Sequence, residues 1–290
     1  MKRTAVILAV LSVAVWAQAQ NAGQSAQQTP PAAGQTAPGA TTAPPAKRPP
    51  QAKTQPEFDA YKTAAASTDA AGLEKAADDF ATKFPDSELR ILLYKNAMRL
   101  YQNSNNAEKT EAMGRKVLGL DPDDPEALVI VAEVIAERTR DSDIDKDQRY
   151  SEAVTMAQKA TQTVDTDVQV PAGTAQDKID AYKALLRSNA YSIMGTIAFK
   201  KDDYAAAQEN LQKSIDAFPS QPDPVVVLRL ALTLDKQQKY PEALKVANKA
   251  VEMTQDNTTI GTPARRERDR LQQLTGATPP AAQPQTPPKN

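Results

Sequence analysis

The densest set of side chains able to do chemistry is Asp141, Asp143, Asp145 and Glu152, in DSDIDKDQRYSE. Three carboxylates at alternate positions and a closing glutamate have the spacing with which a calcium loop wraps a hard cation in oxygen ligands. The same stretch carries departures. Lys146 stands where such a loop needs glycine for its sharp turn, Arg149 fills a ligand slot, and Gln148 replaces the usual apolar residue. Glu152 also falls within a helical pattern that carries Tyr150 and Ala153. The stretch therefore reads as a polar insertion between two helices, with a calcium loop as the alternative. No other metal site is expected.

The remaining catalytic inventory is thin. The 290 residues contain no histidine and no cysteine. That removes the commonest general base, the commonest zinc ligand, thiol catalysis and every Ser-His or Cys-His pair. There is no glycine-rich phosphate loop and no G-x-S-x-G. The other acidic residues lie in turns and on polar faces, where a solvated carboxylate is the ordinary state. The sequence points away from an enzyme and from any cofactor. Charge is balanced, with 35 Lys and Arg against 36 Asp and Glu, so no basic stripe marks a nucleic-acid surface. The run Arg265, Arg266, Arg268, Arg270 is interleaved with Glu267 and Asp269 and reads as a solvated capping helix.

The elements that would position a site are helical. Apolar residues recur at three- and four-residue steps, giving expected helices at 57–66, 70–84, 88–103, 106–119, 125–139, 149–163, 177–200, 203–218, 223–237, 241–254 and 263–274. No alternating strand pattern is present. Breakers fall at Pro85, Pro122, Pro125 and Pro219, where a helix cannot continue. The clearest pair is YSIMGTIAFKKDDYAAAQENLQKSIDAFP, with Tyr191, Met194, Gly195 and Ala198 on one helix face and Tyr204, Ala207, Leu211 and Ser214 on the next. Gly195 and Ala207 are the places where two backbones can approach. The second set returns at one constant shift as Tyr240, Ala243, Ala247 and Ala250, while Leu230 and Ala231 take the slots of Met194 and Gly195. An earlier copy is Tyr150, Ala153, Ala157 and Ala160.

A helix pair repeating this way resembles the tetratricopeptide repeat, W-x2-L-G-x2-Y…A-x3-F…P over about 34 residues. Tyr191, Met194, Gly195, Ala207, Leu211 and Pro219 stand at its slots, and Ala198 replaces its Tyr. The resemblance implies an all-α fold, an α-solenoid of antiparallel helix pairs coiled into a superhelix. It also implies a concave face lined by the first helix of each pair. Carried onto matching slots, that face has Lys95, Arg99 and Asn103 at a basic mouth, then Glu133 and Glu137. It continues through Asn189, Ser192, Thr196 and Phe199 to Leu228, Leu232 and Asp235. The partner implied is a protein or an extended peptide.

The ends differ in composition. Residues 1–19 read as a signal peptide: Lys2 and Arg3, an apolar stretch from Ala5 to Val15, then Ala17-Gln18-Ala19 before Gln20. The apolar stretch falls short of the roughly 20 residues of a membrane helix, so no span is expected in the mature chain. Residues 20–56 and 276–290 read as disordered Pro-rich tails, too poor in apolar side chains to offset ordering entropy. The solenoid is expected over 57–275. The expectation is an exported, periplasmic or secreted, non-catalytic scaffold; the alternative is a structural envelope spacer using its Pro-rich tails.

Overall fold

The computed structural model describes residues 47–171 and 173–276. The expected signal peptide 1–19, most of the linker and the tail beyond Gly276 lie outside the described residues. Within them are eleven α-helices and no strand: α1 Gln55–Ala65, α2 Ala70–Lys83, α3 Arg90–Asn103, α4 Ala107–Leu120, α5 Pro125–Arg138, α6 Lys146–Thr163, α7 Gln176–Lys200, α8 Tyr204–Ala217, α9 Pro224–Lys236, α10 Tyr240–Glu252 and α11 Gly261–Thr275.

Six of the eleven helix starts carry a side-chain cap. Thr54, Asp69, Asn106, Asp124, Asp203 and Asp223 each accept a backbone N–H of the first turn, satisfying donors with no partner inside the helix. Proline sits at the start of α5 and α9, where its missing N–H costs nothing. Three of the hairpin turns share one geometry. Asn105, Asp202 and Gln238 adopt left-handed φ of 56°, 58° and 60°. The next N–H then donates back to Tyr101, Ala198 and Leu234 at 2.9, 3.0 and 3.0 Å, a helix-closing motif that caps orphan carbonyls.

Each helix packs chiefly on its sequence neighbours, giving the pairs α1/α2, α3/α4, α5/α6, α7/α8 and α9/α10, with α11 closing the end. Across pairs, α1 meets α3, α5 meets α7 and α7 meets α9, whereas no two even-numbered helices pack comparably. The stack therefore closes up on its odd-numbered side, and the concave face belongs to α3, α5, α7 and α9. Small residues set the spacing: Ala153, Ala157, Ala160, Ala207, Ala231, Ala243, Ala247 and Ala250 are all buried. A Cβ on Gly195 would stand 2.7 Å from Leu211 Cγ, so this is the close approach that the spacing called for.

One expectation changes. The body begins before residue 57: α1 starts at Gln55, and residues 47–54 run against the loops rather than free of them. Leu271 is buried in α11, but Leu274 points to solvent, 53% exposed.

Candidate functional site

The concave face carries a buried ion cluster at its α3–α5 end. Asp124 caps α5, its Oδ1 accepting the Ala127 N–H at 2.8 Å, and the cap aims its other oxygen at α3. Lys95 Nζ donates to Asp124 Oδ2 at 2.6 Å and pairs with Glu126 Oε2 at 3.0 Å. Arg99 forks onto the same glutamate, Nε to Oε1 at 2.5 Å and Nη2 to Oε2 at 2.6 Å, a planar match that holds direction as well as charge. Two cations meet two anions in a desolvated place. Burial alone would raise the Glu126 carboxyl, but the Lys95 and Arg99 charges outweigh it and hold it well below the carboxylate range. Burial would lower Lys95, and Glu126 and Asp124 outweigh that, raising it. Tyr182, from the early turns of α7, is pushed well above its ordinary value by burial and by the charge of Glu126.

This corrects the reading of Lys95 as an open anchor. Its side chain is 5% exposed and engaged twice, because Asp124 and Glu126 at the start of α5 face its slot on α3. Arg99 keeps one edge open, at 30%, and Asn103 is exposed. Glu133 is half-buried and Glu137 exposed on α5. Along α7, Asn189 and Ser192 are half-buried. Thr196 Oγ1 accepts from Arg229 Nη1 of α9 at 2.8 Å. Phe199 turns partly into the core, edge-on to Tyr204 with ring centres 5.7 Å apart. Leu228 is buried and Leu232 half-buried. Asp235 is drawn away from the face by Arg270 of α11, 2.5 Å distant.

The repeat positions differ in burial. Met194, Gly195, Ala207, Leu230, Ala231 and Ala243 are buried, and Tyr191 and Tyr240 are half-buried. Pro219 lies exposed just past α8. Tyr204 is only half-buried, its hydroxyl donating to Asp202 Oδ1 at 2.5 Å. It opens α8, so only one side of the ring meets protein.

The four carboxylates of residues 141–152 do not converge. Glu152 lies inside α6 and pairs with Arg115 of α4 at 2.8 Å. Asp143 accepts the Arg140 backbone N–H at 2.8 Å, and Asp141 faces Lys146 at 3.8 Å. Among the described residues no three such side chains are grouped to hold a metal. Sequence reasoning missed Asp124, Glu126, Tyr182 and Arg229. Asp124-Pro125 was visible as a helix start, and a capping aspartate with a second free oxygen was the available signal.

Residues 188–221 match the model of the tetratricopeptide repeat, and they span the end of α7, its left-handed turn and all of α8. The chain carries a tetratricopeptide repeat. The match is the pair on which the resemblance rested, and the left-handed turns of α3/α4 and α9/α10 repeat its geometry. No curated protein matches the chain in sequence. Among solved structures, the chain is similar to MamA protein, at 17% identity over 68% of this chain and 88% of that one, TM-score 0.47. It is similar to YrrB, a tetratricopeptide repeat protein with an unusual peptide-binding site, at 17% identity over 69% and 85%, TM-score 0.44. It is also similar to TTC0263, a thermophilic tetratricopeptide repeat protein in Thermus thermophilus, at 12% identity over 76% and 98%, TM-score 0.42. Among the described residues no helix is long and apolar enough to cross a membrane.

Proposed function

We propose that the chain is a non-catalytic scaffold that holds a protein or an extended peptide along the face of α3, α5, α7 and α9, in the cell envelope after export. One observation carries the reading: α5 meets α7, α7 meets α9, and Lys95 and Arg99 of α3 pair with Glu126 of α5, so the first helices of successive pairs lie side by side in one row. That row runs from Arg99 and Asn103 through Asn189 and Ser192 to Leu232. Its polar and apolar groups come from separate helices, so a ligand must be long to meet them. The absence of histidine and cysteine supports binding over turnover. Export rests on the basic start, apolar stretch and Ala17-Gln18-Ala19 of residues 1–19.

Photo-crosslinking residues placed singly at Asn103, Asn189 and Ser192 test the face in cells. A discrete crosslinked partner from these positions, and none from the exposed Lys213 and Lys249 on even-numbered helices, is expected. Identical products from both sides would overturn the reading. Export predicts a mature chain beginning at Gln20 in the envelope fraction; full-length chain retained in the cytoplasm would refute it.

A further inference from the structure

We infer that the loop edge of the solenoid is a binding site for a basic, proline-containing extended peptide, and that the chain's own residues 47–53 fill it. The loops after α2, α4 and α6 line up along this edge and offer carboxylates and carbonyls in a row. Lys47 Nζ donates to both oxygens of Asp121 at 2.6 Å and pairs with Asp167 at 3.3 Å. Its backbone N–H donates to Thr166 O at 2.9 Å. Arg48 forks onto Glu88 at 2.8 and 2.5 Å, and the Gln51 N–H reaches the same carboxylate at 3.3 Å. Lys53 Nζ ends the row on Asp86 O at 2.8 Å. Between the charges, Pro50, Ile91 and Leu120 line one cleft, and Leu120 is among the few large apolar side chains left exposed on the body.

The segment's chemistry matches the edge in every part. Arg48 precedes Pro49, which favours extended backbone, and Pro49-Pro50 prepay ordering entropy for a strand without internal hydrogen bonds. Yet it is held lightly. The Lys47 and Arg48 side chains stay 36% and 64% exposed, and exposed ion pairs contribute little each. Its advantage is tethering: a short connection to α1 gives an effective concentration on the order of millimolar. The segment therefore sets a threshold that an incoming peptide of the same chemistry must exceed. This edge is made by loops, not by the odd-numbered helix faces, so it stands or falls separately from the binding face proposed above.

The test uses full-length chains and a fluorescently labelled peptide of sequence KRPPQAK, read by anisotropy at low salt. Lys47→Glu/Arg48→Glu unseats the segment and should bind the peptide about tenfold or more tighter than wild type. Adding Glu88→Gln should remove most of that gain, and a peptide with Glu-Glu in place of Lys-Arg should bind none of the chains. The milder Lys47→Gln/Arg48→Gln chain should give the same ordering, which guards against a folding defect in the charge reversal. Equal binding by wild type and both unseated chains, or a gain that survives Glu88→Gln in full, would overturn the inference.

Discussion

The pairs α3/α4 and α7/α8 are built on the same left-handed turn, at Asn105 and Asp202, yet they distribute bulk in opposite ways. Counted from that turn, Met98 of α3 stands where Gly195 stands in α7, and Gly114 of α4 stands where Leu211 stands in α8. In one pair the large residue is on the first helix and the glycine on the second; in the other the order is reversed. Both contacts are tight: a Cβ on Gly195 would meet Leu211 Cγ at 2.7 Å, and one on Gly114 would press first on Val131 Cγ2 of α5 and then meet Met98 Sδ at 3.2 Å. The α9/α10 pair takes the middle course with Ala231 and Ala247, both fully buried. What the architecture demands is a sum of volumes at the crossing, not a glycine at one address. Met98 is fully buried at its slot, with Gly114 facing it.

The pairs differ a second time one turn along. The slots of Lys95 and Arg99 in α3 hold Ser192 and Thr196 in α7, so only the first pair is bolted to its successor by buried charge. Glu126→Gln should therefore give the largest loss, about 3–5 kcal/mol at neutral pH, because it strands Arg99 and halves the partners of Lys95. Thr196→Ala, at the matching slot, should cost under about 1 kcal/mol; equal losses in urea titrations would erase the contrast. Acid should expose the same bond. The folded-state Glu126 carboxyl is held below its ordinary range, so its contribution is complete above about pH 4.3 and fades as pH falls through that value towards the folded one. Glu126→Gln should flatten that acid limb of the stability curve.

Next comes the exchange of bulk. Gly195→Met alone should cost about 1–3 kcal/mol by overpacking, and Leu211→Gly alone about 3–5 kcal/mol by leaving a cavity. Together they copy the α3/α4 arrangement, and a coupling of about 1–3 kcal/mol in favour of the double variant is expected. Strict additivity in thermal melts would mean the two pairs are not equivalent. The ring at the turn should matter less: Tyr204→Ala should cost about 1 kcal/mol, in line with its half-burial. Tyr150, five residues into its helix and 1% exposed, should cost about 3–5 kcal/mol on the same change. The smallest effect is expected at the turn itself. Asn105→Gly and Gln238→Gly should each stabilise by about 0.5 kcal/mol, relief of the left-handed backbone being partly offset by glycine's entropy. A loss at either would mean the side chain, not the backbone, holds the turn.

The helices were legible because their signals are local: apolar residues recur at three- and four-residue steps, and Pro85 and Pro219 mark ends. The repeat was legible where small residues recur, from Gly195 to Ala250. The binding face was only partly so. Lys95 and Asp124 are far apart in sequence, and nothing near either announces that they meet. Asp235 looked free because Arg270 arrives from another helix. Residues 47–54 read as linker by composition, and their order depends on Glu88, Asp121 and Asp167, carboxylates supplied by three separate loops. Within the calcium-like spacing, α6 begins at Lys146 and winds Glu152 round to Arg115, a placement that depends on a residue of another helix.

One helix is out of scale with the others. At 25 residues against 14 for α8, α7 reaches about 37 Å rather than about 21 Å, and its early turns bring Tyr182 beside Arg99 and Glu126 of two earlier helices. A row of equal hairpins behaves as a coil spring, compliant at every joint. The longer rod reaches back past its own hairpin, like a splint laid over a joint, and its early turns tie α3 and α5 to the pair that follows.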